Sequence, residues 1–162
     1  MNLEETLRVL YDAEVDLVLI GGGAMQLQGS AYTTEDLDFC YARTRQNISK
    51  LARAMAAYHP RLRGAPENLP FHFDAATIER GMNFTLETDL GAIDFLGEVS
   101  GFPSYEAVKD ASEIISVLGM KCRVLSLAGL IRAKQAAGRK KDLEAVVELK
   151  SLLQLREKTK LK

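Results

Sequence analysis

Residues 17–41 read LVLIGGGAMQLQGSAYTTEDLDFCY, and the order of residue types in this stretch decides the architecture. Asp16 to Ile20 is predicted as a strand, apolar throughout after its first residue. A strand apolar on both faces is buried on both, so a central place in a sheet is expected. Gly21, Gly22 and Gly23 end it sharply, Ala24 to Gln28 forms a short helix, and Gly29 stops that helix. Thr33 to Glu35 then lead into a second strand, Asp36 to Tyr41. Side chains alternate across a strand, so Asp36 and Asp38 share one face while Leu37, Phe39 and Tyr41 share the other.

Before this stretch, Asn2 caps a first helix with Glu5 three residues on, and Leu3, Leu7 and Leu10 form its apolar stripe. After it, Thr44 caps a helix striped by Ile48, Leu51, Ala52 and Met55. Residues 60–70 hold three prolines and Gly64 and read as loop, with Phe71 to Phe73 as a short strand. Met82 to Glu87 and Ala92 to Leu96 form a hairpin about Thr88-Asp89-Leu90-Gly91, which puts Asp94 on the face opposite Ile93 and Phe95. A short helix, Ser104 to Asp110, precedes a second hairpin, Ile114 to Val117 and Lys121 to Val124, split at Gly119. Ser126 caps a helix that runs to Ala137 and stops at Gly138. Lys140 to about Leu155 is the last helix, striped by Leu143, Val146, Leu149 and Leu153, and the charged tail Glu157 to Lys162 is expected to fray. The expected fold class is α+β (α/β): a mixed sheet with helices packed on one side and a C-terminal helical hairpin. Residues 1–162 are expected to form one domain, with helices 126–155 as a small subdomain.

A chain of 162 residues has the length for one real core. The net charge of −1 gives no sign of nucleic-acid or membrane binding from bulk charge, so any nucleic-acid contact is expected to use a local basic patch. No apolar run approaches the ~20 residues that span a bilayer, and the acidic start Met1-Asn2-Leu3-Glu4-Glu5 is unlike a signal peptide, so cytoplasmic residence is expected. Cys40 and Cys122 have no metal-ligand or CxxC spacing and are expected to be buried free thiols.

The chemistry-bearing residues are Asp36, Asp38 and Asp94. Beside them, a strand–Gly–Gly–helix junction offers backbone N–H groups to phosphate oxygens, and glycine lets a ligand come close. Gly21-Gly22-Gly23 followed by Gly29 is not GxGxxG, and no Gly-Lys-Ser/Thr follows, so neither a dinucleotide fold nor a Walker loop is indicated. Clustered carboxylates raise one another's pKa unless a cation joins them, and hard oxygen donors select Mg²⁺ or Mn²⁺. The pattern points to metal-dependent phosphoryl transfer. Lys134 lies on the apolar stripe of Leu127, Leu130 and Ile131; its stem can cover the core, or its ammonium can reach a triphosphate.

Gly21-Gly22, Asp36-Leu37-Asp38-Phe39 and the later Asp94 together resemble the DNA polymerase beta-type nucleotidyltransferase superfamily. Gly22-Gly23 with Ala24 and Met25, then Gly29, then Thr34-Glu35-Asp36-Leu37-Asp38 are most similar to its small bacterial members, related to abortive-infection and toxin–antitoxin (minimal) nucleotidyltransferases. Leu125 to Ile131, Lys134 and Arg139 to Leu143 extend the resemblance. It implies transfer of a nucleoside monophosphate from a nucleoside triphosphate, ATP among them, to a hydroxyl on tRNA, a protein or a small molecule. It implies Asp36, Asp38 and Asp94 as catalytic acids and ligands of Mg²⁺ or Mn²⁺, and Gly21, Gly22, Gly23, Thr34 and Lys134 as nucleotide-binding residues. It also implies a toxin–antitoxin partner protein. Gly23 and Ala24 stand where many members have a serine, and Tyr32 where many small members have an arginine. A second expectation therefore stays open: a weak or inactive partner with the same fold, antitoxin-like or nucleotide-sensing.

Overall fold

In the computed structural model, which describes residues 2–160, the apolar run Leu17–Ile20 forms β1 in the interior of a seven-stranded mixed sheet. Its neighbours are β2 (Asp36–Tyr41), antiparallel, and β7 (Met120–Leu125), parallel. β2 in turn lies parallel to β5 (Gly91–Leu96), which forms the expected hairpin with β4 (Asn83–Thr88). β7 pairs with β6 (Ser112–Val117) across the two-residue turn Leu118-Gly119, both at positive φ as such hairpin turns require. A two-residue strand, β3 (Arg61–Leu62), closes the far edge against β4, giving the order β3-β4-β5-β2-β1-β7-β6.

The helices are α1 (Leu3–Asp12), α2 (Gly21–Leu27), α3 (Arg45–Met55), α4 (Ala75–Arg80), α5 (Tyr105–Asp110), α6 (Leu127–Ala137) and α7 (Lys140–Lys160). Asn2, Thr44, Asp74, Ser104 and Ser126 cap α1, α3, α4, α5 and α6, each side-chain oxygen accepting a backbone N–H three residues on. Gly138, at φ 69°, ends α6 and turns the chain into α7. Val18, Leu37, Phe39, Ile93, Phe95 and Val124 are fully buried at the centre of the core. Both cysteines are buried and free; burial pushes the Cys40 thiol up to about 12.

Four expectations are corrected. The three glycines do not precede the helix: they are the first turn of α2, with Gly21 at φ +63°. Phe71 to Phe73 is not a strand. Phe73 instead stacks on Phe95 with centroids 5.8 Å apart and meets Phe84 edge-on at 5.3 Å, so those aromatic residues plug the core from a loop. α7 runs past Leu155 to Lys160, because Arg156 binds the Gln28 carbonyl (3.1 Å) and Oε1 (2.9 Å) at the end of α2. Leu161 and Lys162, the end of the tail expected to fray, lie outside the described residues. The inward face of α7 is Asp142, Val146 and Leu149, while Leu143 is 51% exposed.

Asn47 couples the first two strands to α3. It is buried; its Oδ1 accepts from the Asp16 N–H (2.7 Å), and its Nδ2 donates to the carbonyls of Asp16 (2.9 Å) and Ala42 (2.8 Å). Asn47→Ala leaves the Asp16 N–H and the Ala42 carbonyl without partners, while the Asp16 carbonyl keeps the Ala42 N–H at 3.1 Å, and is expected to destabilise the fold by about 2–4 kcal/mol. Urea unfolding checks this: a midpoint within error of wild type at unchanged slope would refute it.

Candidate active site

Three acids predicted from sequence stand in one row. β2 and β5 pair in parallel with Asp38 directly beside Asp94, and Asp36 beside Ala92. Side chains at paired positions share a face, so Asp36, Asp38 and Asp94 project together while Leu37, Phe39, Ile93 and Phe95 fill the core behind them. Asp38 and Asp94 are thus nearest neighbours across the two strands. Burial first, then the charge of Asp94, then the charge of Asp36, push the Asp38 carboxyl up to about 7; the Lys134 charge opposes them. Cys40, next on that face, is covered, so the row is open only along Asp36 and Asp38.

Gly21 stands against the row. A Cβ there would lie 2.3 Å from Asp38 Oδ2, and its positive φ disfavours any L side chain, so no larger residue fits. Gly22 lies against Tyr32 and Thr34 in the same way, its Cβ position 2.7 Å from Thr34 Cβ. The Thr34 hydroxyl donates to the Asp36 carbonyl (3.0 Å) and accepts from the Asp36 N–H (3.2 Å), closing the turn that enters β2. The predicted nucleotide-binding residues Gly21, Gly22 and Thr34 thus pack around the strand that carries the acids, and Gly23 is buried against Leu19 and Leu37.

Lys134 points inward as its stripe predicts. Its side chain is 25% exposed, with Nζ 3.4 Å from Oδ1 of the fully buried Asp142. Arg139 donates to the same carboxylate from Nε (2.6 Å), Nη2 (3.3 Å) and its backbone N–H (3.2 Å). These bonds hold the Asp142 carboxyl below the usual range, with the Lys134 charge adding to them against burial. A cleft of about 600 Å³ opens here, lined by Gly21, Glu98, Lys134, Arg139 and Asp142. A second of about 650 Å³ lies along the other side of the row, lined by Thr34, Glu35, Asp36, Arg63 and Glu87.

No family model matches the chain by sequence, and no curated protein does. Solved structures do match in shape. A candidate nucleotidyltransferase of Thermotoga maritima superposes with a TM-score of 0.54 at 21% identity, over 95% of this chain and 96% of that one. The resistance factor ANT(2″)-Ia, crystallised with adenylyl-2″-tobramycin, gives 0.57 at 16% identity over 93% and 87%. An antigenic nucleotidyltransferase-like protein of Paracoccidioides brasiliensis gives 0.55 at 16% over 94% and 74%. The fold is a nucleotidyltransferase fold.

Within this nucleotidyltransferase fold the sequence pattern did not reveal Arg63. It lies in the stretch read as loop, and its side chain crosses β4 to reach the acids. Nη2 donates to Asp94 Oδ1 at 2.8 Å and to the Leu86 carbonyl at 2.8 Å, Nε to Glu87 at 3.2 Å, and Nη1 lies 3.6 Å from Asp36. Among the described residues no three His, Cys, Asp or Glu side chains are grouped to hold a metal ion; a guanidinium occupies the face of Asp94 and Asp36. The donor chemistry nonetheless fits a hard divalent cation. Asp38 and Asp94 are neighbours in register with Asp36 on the same face, and carboxylate oxygens are the hard donors such an ion takes. No described helix is long and apolar enough to cross a membrane.

The Asp38 shift makes the stability of the protein pH-sensitive. Between about pH 4 and 7 this carboxyl is ionised in the unfolded chain and protonated in the folded one, so stability falls as pH rises through that window. Asp38→Asn removes the effect. Its unfolding free energy relative to wild type is expected to rise by on the order of 2–4 kcal/mol from pH 4 to 7 in chelator. Parallel pH profiles for the two proteins would disprove this.

Proposed function

We propose that the chain is a metal-dependent nucleotidyltransferase that moves a nucleoside monophosphate from a nucleoside triphosphate to an acceptor hydroxyl on tRNA, a protein or a small molecule. The observation that carries this is the register that sets Asp38 beside Asp94, with Asp36 on the same face and Gly21 pressed against Asp38. In this proposal Asp36, Asp38 and Asp94 hold Mg²⁺ or Mn²⁺. When bound, the ions supply charge stabilisation to the entering and leaving oxygens.

The chain's own residues divide the rest. Gly21, which starts α2 beside Asp38 and is only partly buried, brings its backbone to the phosphate oxygens, with Gly22 and Gly23 buried behind it to let the turn pack against β2. Lys134 stands across the cleft from Gly21 and supplies positive charge to the triphosphate; Asp142 and Arg139 keep it aimed. Thr34 holds the entry to β2 in place. The acceptor approaches from the Arg63 side, and Asp94 takes the proton of its hydroxyl. An oxygen–phosphorus bond forms at the α-phosphate, the bond to the bridging oxygen breaks, and pyrophosphate leaves.

One observation favours a second possibility. Arg63 already pairs with Asp94, Asp36 and Glu87, as in a purely structural ion network, which suits an inactive fold partner. Label transfer separates the two. With α-labelled nucleoside triphosphates, Mn²⁺ and total tRNA or lysate, transfer is expected, and Asp38→Ala should lower it at least about a hundredfold. No transfer to any acceptor, with no nucleotide bound in calorimetry, would overturn the proposal.

A further inference from the structure

Arg63 follows β3, whose pairing to β4 runs Arg61 with Glu87 and Leu62 with Leu86, and the Arg63 N–H continues it to the Thr85 carbonyl at 3.0 Å. Its backbone is therefore fixed while its side chain, 26% exposed, lies over the strand face. The guanidinium has two kinds of partner. Glu87 and the Leu86 carbonyl belong to β4 and anchor it; Asp94 and Asp36 belong to the row. A guanidinium only donates, and it binds the same carboxylate lone pairs a divalent cation needs. The ammonium of Lys134, placed on Asp142, does not compete for Asp94 in this way.

We propose that Arg63 is the internal counter-cation of the acid row and sets its affinity for divalent metal, holding Asp94 and Asp36 until an ion replaces it. This rests on the assignment of Asp36, Asp38 and Asp94 as metal ligands. On loading, Nη2 gives up Asp94 while Glu87 and the Leu86 carbonyl retain the group, so the exchange requires no refolding of the edge strand. The arginine thereby limits the cost of adjoining carboxylates in the metal-free protein and weakens metal binding by the same pairing.

Mn²⁺ titration followed by electron paramagnetic resonance on the full chain tests this. Arg63→Gln is expected to bind Mn²⁺ about tenfold more tightly than wild type, the scale of one partly buried charge-assisted contact. Its metal-free melting temperature should fall below wild type, and the gap should close at saturating Mn²⁺. Arg61→Gln, which removes an equal charge two residues away, should stay within about twofold of wild type. Equal affinity of wild type and Arg63→Gln, with binding lost in Asp38→Asn, would overturn the counter-cation role and leave the metal site standing. No Mn²⁺ bound by any of them would overturn both. Should circular dichroism show Arg63→Gln unfolded, Arg63→Met, which keeps the apolar stem and removes the charge, replaces it: tighter binding than wild type is expected, and wild-type or weaker affinity overturns the role.

Discussion

The parallel pairing of β2 with β5 sets two forces against each other across the same backbone. On one face Leu37 lies beside Ile93 and Phe39 beside Phe95, all fully buried, with the phenyl rings stacked at 5.8 Å. Burying four such side chains contributes roughly 6–12 kcal/mol. On the other face the same register puts Asp38 beside Asp94, where two ionised carboxylates repel and the Asp38 carboxyl is pushed up to about 7. The apolar face wins, and a slip by one residue would expose it entirely. The core therefore dictates the acid row, and the carboxylates have no freedom to separate along the strands.

Charge that cannot move apart has to be compensated where it stands. This happens in two ways. Burial and the neighbouring Asp94 and Asp36 charges push the Asp38 carboxyl up to about 7, so that it takes up a proton, and Arg63 places its guanidinium on Asp94 and Asp36. Lys134 adds a weaker, longer-range pull on Asp38 while Asp142 and Arg139 hold it in place. The buried Asp142 is therefore part of how the opposite wall of the cleft is built. Gly21 completes the arrangement by standing where a side chain would strike Asp38.

Much of this was legible in the residues because it depends on local period and local caps. The apolar run at Leu17–Ile20 gave the interior strand; alternation over Asp36–Tyr41 gave the acid face; Ser126 and Gly138 bounded α6. What escaped depends on contacts between distant residues. Arg63 reaches Asp94 across thirty-one positions and Arg156 reaches Gln28 across one hundred and twenty-eight, and no periodicity encodes either. Phe71-His72-Phe73 alternates like a strand, but its aromatic residues pack as loop anchors, and packing overrides a two-residue pattern. On α7 the apolar spacing suggested Leu143 for the interior, yet the buried place went to Asp142, because Arg139 and Lys134 satisfy its charge there. Gly21 at positive φ fills the first helical position directly after β1, which is why the glycine run reads as a break in sequence and is a helix start in space.

Shape and site rest on different properties of the chain, and that difference weighs on function. Solved nucleotidyltransferase folds at 14–21% identity share the architecture, as expected when binary patterning and core volume specify it. The acid row has no such explanation. Replacing Asp38 by its isostere asparagine would relieve the repulsion without disturbing the core behind it, so a scaffold gains nothing from three carboxylates that an arginine must then restrain. A site that holds metal and releases it has a use for both: the acids to bind the ion, and a tethered guanidinium to stand in when the ion leaves. The energetic cost of the row is the physical ground of the proposed function.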